Sequence, residues 1–100
     1  MRLTSQVQTD IVQTFRQFFS EGDHIWLFGS RADDAKRGGD IDLYIETQES
    51  DTSILRNQKI KFLVNLEKKI GEQKIDVVIK TPQKTLPIHE EARATGVLLV

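Results

Sequence analysis

Two aspartates at alternate positions, Asp40 and Asp42, lie in a segment with the two-residue period of a β-strand. In residues 40–46 every second residue is aliphatic, so one face of the predicted strand is apolar and the other carries both carboxylates. At about 3.3 Å per residue, their Cα atoms would lie roughly 6.5–7 Å apart. Such carboxylates can share cations, and two metal ions about 3.5–4 Å apart can clamp a reacting phosphate.

A glycine–serine pair comes before these aspartates, with nine residues between Ser30 and Asp40. It follows residues 24–28, a short apolar run that predicts a strand inside the sheet. Residues 31–37 predict a short helix starting at Ser30, where free backbone N–H groups would suit a phosphate. Gly29 would let the backbone approach the anion, and the serine hydroxyl would add a hydrogen bond. An ordinary strand-to-helix turn with a serine cap fits the same residues.

A third acid, Asp76, lies in another predicted strand, residues 74–80. The residues on either side of it are β-branched, which is typical of a strand with a partly buried face. Taken alone, Asp76 fits a charge at the edge of a sheet. If its strand lies beside the one that carries Asp40 and Asp42, it is the natural third metal ligand.

Three amphipathic segments are expected to pack against this sheet as helices, at residues 3–20, 54–70 and 87–95. Thr52 or Ser53 is the expected cap of the second helix. Its basic residues predict a solvated face. The sequence thus predicts an α/β (α+β) fold, a mixed sheet of three to four strands flanked by helices.

Three other features carry weaker expectations. His24 is predicted to be a structural residue at the start of its strand, and His89 a surface residue of the third helix. The apolar tail, residues 97–100, fits three roles: packing on the domain, adding a strand, or meeting a partner.

Composition limits the classes of function. One hundred residues fit one domain, and the net charge of −1 argues against a general nucleic-acid binder. No apolar run approaches the ~20 residues of a membrane helix, and the N-terminus lacks the apolar core of a signal peptide. With no cysteine, neither a disulfide nor a thiolate metal site can form. We expect a cytoplasmic protein without membrane contact.

Together, these motifs resemble the polymerase-β-type nucleotidyltransferase superfamily, and most of all its small prokaryotic minimal nucleotidyltransferases (MNT), which are often paired with a HEPT-domain partner. The motifs are Leu-Phe-Gly-Ser-Arg-Ala at 27–32, Gly-Gly-Asp-Ile-Asp-Leu at 38–43 and Ile-Asp-Val-Val at 75–78. The resemblance runs from about residue 24 to residue 79. It implies a single minimal nucleotidyltransferase domain over residues 1–100.

The resemblance also implies the site. Asp40, Asp42 and Asp76 would be the catalytic residues and the ligands of two Mg²⁺ ions. The nucleotide, ATP or another nucleoside triphosphate, would be bound by its phosphates at Gly29 and Ser30.

Arg31 is the third expected nucleotide-binding residue. Many small relatives continue with Arg-Gly where this chain has Asp33 and Asp34, which leaves the role of Arg31 open. Lys36 and Arg37 are the nearest replacements for the missing basic contact.

The implied activity is transfer of a nucleotidyl group, AMP from ATP, to a hydroxyl of a partner protein. In toxin–antitoxin pairs of the resembling kind, the nucleotidyltransferase is the antitoxin and modifies a tyrosine of the HEPT-domain toxin. A chain of this size has no room for an acceptor-binding domain, so the acceptor is expected in trans. A non-catalytic antitoxin that neutralises its partner by binding is the alternative. A small-molecule (aminoglycoside-type) transferase ranks lower, a polymerase lowest, and a homo-oligomer is compatible with the sequence.

Overall fold

A computed structural model describes residues 3–32 and 39–100. Its four strands form one sheet in the order β3-β2-β1-β4. The elements are α1 (Ser5–Phe18), β1 (His24–Phe28), a 3-10 turn (Gly29–Arg31), β2 (Ile41–Glu46), α2 (Thr52–Ile70), β3 (Ile75–Lys80), α3 (Pro87–Thr95) and β4 (Val97–Leu98). The predicted fold class, a mixed sheet of three to four strands flanked by helices, is confirmed.

The sheet is mixed because β2 pairs antiparallel with β1 and parallel with β3. In this register Asp42 lies opposite Phe28 on one side and opposite Asp76 on the other. Strand β1 lies inside the sheet, as its two apolar faces predict. Its other neighbour is β4, so the apolar tail adds a short strand.

The main core lies on the sheet face covered by α1 and α2. The aliphatic residues of β2 (Ile41, Leu43 and Ile45) have no exposed surface. Against them packs an aromatic group in which Phe15 stacks on Phe19 with ring centroids 4.9 Å apart, and both rings meet Phe62 edge-on. Because β2 turns its aliphatic residues into this core, its polar residues must face the other side.

The opposite face is covered by α3, which packs on Trp26 and Tyr44. The prediction that His89 is a surface residue is wrong: it is 5% exposed, and its ring stacks on Tyr44 with centroids 5.8 Å apart. Its Nδ1 accepts a hydrogen bond from the backbone N–H of Leu86 at 3.0 Å, which caps the helix. Burial first, and then the charge of Lys80, lower the pKa of His89, so the neutral ring that can accept this bond is favoured.

The predicted bounds of α3 are confirmed, whereas α1 is two residues shorter at each end than predicted and α2 begins two residues earlier. Asp51 caps α2 in place of Thr52 or Ser53, because its carboxylate accepts from the N–H groups of Ser53 (2.9 Å) and Ile54 (3.3 Å). Helix α2 ends at Ile70, as predicted, and Gly71 follows it with a φ of +86°. Among the described residues, no helix has the length and apolar character needed to cross a membrane.

Two expectations concern the ends of β1. Nδ1 of His24 lies 3.2 Å from the carbonyl oxygen of Val100, so this side chain contacts the tail beside β4. After β1 the structure has a 3-10 turn over Gly29–Arg31, and most of the helix predicted over residues 31–37 falls outside the described residues. Residues 33–38 lie outside the described residues, and with them Asp33, Asp34, Lys36 and Arg37.

Candidate active site

The strand register brings two of the predicted acids side by side. Asp42 in β2 and Asp76 in β3 are direct partners across a parallel pair. Neighbouring strands lie about 4.8 Å apart, and partner side chains on a pleated sheet point to the same face. Asp40, two residues before Asp42, is placed by the same alternation at the start of that face. All three acids thus lie toward one end of the sheet, on the face opposite the main core.

The three acids interact electrostatically. Asp42 is half-buried, and burial is the first reason that its pKa is raised; the negative charges of Asp76 and Asp40 raise it further. Lys74 acts in the opposite direction. Among the described residues, two carboxylates and one lysine act on Asp42, which is an environment that favours a bound cation.

Lys74 is a site residue that the sequence analysis missed. Its Nζ lies 3.4 Å from a carboxylate oxygen of Asp40, and their side chains are 69% and 48% exposed. A pair this exposed is worth at most about 1 kcal/mol. In the sequence, Lys74 stands immediately before β3 and Asp40 immediately before β2. This equivalence indicates a contact only once the two strands are known to pair in parallel.

Gly29 lies against the Asp42 carboxylate. Its φ of +73° is a left-handed conformation that favours glycine. A Cβ atom at this position would collide with Oδ2 of Asp42 and would lie 3.1 Å from its Cγ. The glycine that the sequence assigned to phosphate binding therefore also leaves room for the Asp42 carboxylate.

Ser30 and Arg31 follow Gly29 in the same turn. Nη2 of Arg31 donates to the carbonyl oxygen of Gly39 at 2.9 Å, next to Asp40. Arg31 thus links the turn after β1 to the residues just before β2. The structure shows this positioning contact; the nucleotide-binding role expected for Gly29, Ser30 and Arg31 stays a prediction.

The acids lie near one another but do not enclose an ion as they stand. Among residues 3–32 and 39–100, no three His, Cys, Asp or Glu side chains are arranged so that they could hold a metal ion. Asp40 is drawn toward Lys74, and Asp76 is exposed at the outer strand. The donor chemistry nevertheless fits Mg²⁺, which takes carboxylate oxygens and retains several waters.

A second polar group, also missed by the sequence analysis, lies farther along the same sheet face. The hydroxyl of Tyr44 donates to Glu46 at 2.6 Å, and Nη1 of Arg93 lies 3.5 Å from the same carboxylate. Burial, followed by the bond to Glu46, raises the pKa of Tyr44. Lys80 and His89 help to line a cavity of about 240 Å³ beside this group. The alternation in β2 predicted the face of Tyr44, but not the cover that α3 provides.

Comparison with known proteins identifies a family for most of the chain. Residues 9–100 match the model of the family described as "Polymerase beta, Nucleotidyltransferase". No curated protein matches the chain. The family match begins within α1 and covers every later element, including the strands that carry Asp42 and Asp76.

Replacement of Asp42 by asparagine is expected to stabilise the protein at neutral pH. Because its pKa is raised on folding, the native state binds the Asp42 proton more tightly than the unfolded chain, and stability is lost as pH rises through the folded pKa. The asparagine side chain carries no charge to repel Asp76. A gain of about 0.5 kcal/mol would raise Tm by roughly 2–4 °C, measured by circular dichroism with EDTA at pH 7.5.

The gain should vanish below about pH 3, where Asp42 is protonated in both states. Glu67→Gln, which neutralises an exposed carboxylate on α2, should leave Tm within about 1 °C of wild type at both pH values. A Tm for Asp42→Asn that equals or falls below wild type at pH 7.5 would contradict this account of the site.

Gly29→Ala is expected to cost more stability than Gly22→Ala. Both glycines have positive φ, but a Cβ at Gly22 would meet nothing within 4 Å, whereas one at Gly29 would meet the Asp42 carboxylate. We expect about 1 kcal/mol for Gly22→Ala and a further ~1–3 kcal/mol for Gly29→Ala, measured by urea unfolding. In an Asp42→Ala background most of the difference should disappear, because only the Cβ of residue 42, 3.3 Å from the added Cβ, remains close. An unchanged difference would place the strain elsewhere.

Proposed function

Because the chain belongs to the polymerase-β nucleotidyltransferase family, we propose that it transfers a nucleotidyl group, AMP from ATP, to a hydroxyl of a partner protein, and that it does so with Mg²⁺. The observation that carries the proposal is the pairing of Asp42 with Asp76 across parallel strands, with Gly29 against the Asp42 carboxylate. This arrangement places paired acids next to the turn expected to receive the phosphates.

The proposed reaction is a displacement at the α-phosphorus. The acceptor oxygen forms a bond to that phosphorus, the bond to the bridging oxygen of the β-phosphate breaks, and pyrophosphate leaves. The proton of the acceptor hydroxyl passes to Asp76, which is the exposed member of the paired acids. Gly29 and Ser30 would hold the triphosphate beside Asp42.

Asp40, Asp42 and Asp76 would hold the two Mg²⁺ ions. When bound, they would supply neutralisation of the phosphate charge and a lower pKa for the attacking hydroxyl. Burial, and after it the charges of Asp76 and Asp40, raise the pKa of Asp42. The part due to the neighbouring carboxylates supports this assignment, because a cation stabilises carboxylates that lie close together. Asp40 would have to exchange its contact with Lys74, which is an exposed and therefore weak ion pair.

The acceptor is proposed to be a HEPT-domain toxin, with this protein as its antitoxin. Within the described residues there is no second lobe over the acids, since the face that carries them is covered only by α3, farther along the strands. A separate protein can therefore approach Asp76 at the outer strand of the sheet.

One observation favours a second function, neutralisation of the partner by binding alone. The acids do not form an ion-holding group within the described residues, and Asp40 is paired with Lys74. A chain with both Asp40→Ala and Asp42→Ala would then still silence its partner fully, while a catalytic antitoxin would lose this ability.

Divalent metal is expected to raise thermal stability. Bound Mg²⁺ would relieve the repulsion among the three acids, and a ligand at 100 times its dissociation constant stabilises by about 2.7 kcal/mol. In a domain of this size, a stabilisation of only about 0.3 kcal/mol already raises Tm by about 1 °C or more. Tm should therefore be higher in excess Mg²⁺ than in EDTA.

The stabilisation by Mg²⁺ should be lost in Asp42→Asn and retained in Glu67→Gln, which removes a distant carboxylate. Equal Tm values for the wild-type protein in Mg²⁺ and in EDTA would count against the metal site.

Transfer itself can be tested with labelled ATP and the protein encoded beside this chain. Label in the α-phosphate should enter the partner, whereas label in the γ-phosphate should leave with pyrophosphate, which separates nucleotidyl from phosphoryl transfer. Asp42→Asn should reduce incorporation at least ~100-fold, by the scale of lost electrostatic stabilisation, while Glu67→Gln should match wild type. Absence of label with all four nucleoside triphosphates would refute the activity on this acceptor.

A further inference from the structure

The outer edge of β3 carries backbone groups that can pair with another strand. The carbonyl oxygens of Lys74 and Lys80 accept from β2 and the residue after it, at 3.0 and 3.1 Å. The even-numbered residues of β3 therefore bond toward β2, and in a parallel ladder the odd-numbered ones direct their N–H and C=O groups outward. Within the described part of the chain, these outward groups have no hydrogen-bond partner. They belong to Ile75, Val77 and Ile79.

Strand β3 lacks the usual protection of an edge. It is six residues long, contains no proline, and four of its residues are aliphatic and β-branched. Its only charges are Asp76 and Lys80, on the same face and of opposite sign. Such a strand can pair with a second strand that places a lysine opposite Asp76 and an acid opposite Lys80. A second copy of β3 in antiparallel orientation presents its charges in this order.

We propose that two copies of this chain pair through antiparallel β3 strands with Val78 at the two-fold axis, so that Lys80 of the second copy lies beside Asp76. The sheets would then join into one of eight strands. This pairing does not depend on the proposed activity.

The direction of the hydrogen bonds, the charges and the length of the paired stretch together select this register. The residues whose N–H and C=O groups point away from β2 must face the same kind of residue in the second copy. In a two-fold pairing this is possible only when one residue lies directly opposite its own copy. With Asp76 or Lys80 at the axis, two like charges meet; with Val77 there, Lys74 meets Lys80 twice; with Ile79 there, no charges pair. With Ile75 there, Lys74 meets Asp76 twice, but Ile75 is then the only residue of each β3 strand that faces the other β3 strand. With Val78 at the axis, Asp76 meets Lys80 twice.

The selected register bears on the acid site. Asp76 and Lys80 of the second copy would be a directly opposed pair with Cβ atoms about 4.5–5.5 Å apart, on the face that carries Asp42. Each site would gain a cation that its own chain places farther along β3. Lys80 of the second copy would then stand beside the expected phosphates, as Lys74 stands beside Asp40.

The absence of cysteine permits a direct test of the register. In Val78→Cys the two introduced thiols face each other across the axis and should form a disulfide-linked dimer on mild oxidation. In Val77→Cys, the matched control, position 77 faces position 79, and the chain should stay uncrosslinked. Crosslinking of Val77→Cys without Val78→Cys would overturn the proposed register.

Charge reversal gives an independent test. Lys80→Glu or Asp76→Lys alone sets like charges opposite each other and should weaken the dimer at least ~10-fold in sedimentation equilibrium. A mixture of the two variants should form a heterodimer, because both cross-strand pairs are then complementary. Lys84→Glu, an equal change of charge in the loop after β3, should leave the dimer intact.

A wild-type protein that stays at the 11.5 kDa mass of one chain at ~100 μM would overturn the proposal, as would single variants that dimerise like wild type. Both readouts are masses, so loss of the dimer and loss of nucleotidyl transfer are measured separately.

Discussion

The parallel pairing of β2 with β3 places Asp42 beside Asp76, and the rest of the site depends on it. The aliphatic residues of β2 are fully buried against α1 and α2, which forces the acids to the opposite face. A shift of one residue in either strand would bury a carboxylate in the core, at a cost of several kcal/mol. The apolar core therefore fixes the register of the acids, although no acid belongs to it.

The residues around Asp42 lower the stability of the folded state. Burial and the neighbouring carboxylates raise the pKa of Asp42, and Gly29 adopts a left-handed conformation that leaves space for the same carboxylate. Neither feature strengthens the fold. A neutral side chain at position 42 would avoid the charge repulsion, and an unstrained backbone at position 29 would accept any residue. Residues that lower stability where charge is concentrated are typical of sites that bind or transform a ligand.

The alternation of apolar and polar residues along the strands predicted the positions of more residues than charge or helix-capping preferences did. The faces of Asp42 and Asp76 followed from the two-residue period, but their adjacency required the parallel register, which a single sequence does not encode locally. His89 was assigned to the surface because one histidine on a short helix has no periodic signal; its burial results from Tyr44, which lies 45 residues earlier in the chain. Asp51, Thr52 and Ser53 are all capping residues, so composition could not choose among them.

The position of Asp76 on the outer strand links the site to the surroundings of the sheet. Asp42 has a strand on each side, but the described residues provide Asp76 with a neighbour on one side only. Whatever pairs with β3 must stand within one strand spacing of the acids, about 4.8 Å. A lysine brought there adds positive charge where phosphates are expected, and an acid would add repulsion. Strand pairing and the electrostatics of the site are therefore coupled through a single residue, because Asp76 belongs to both.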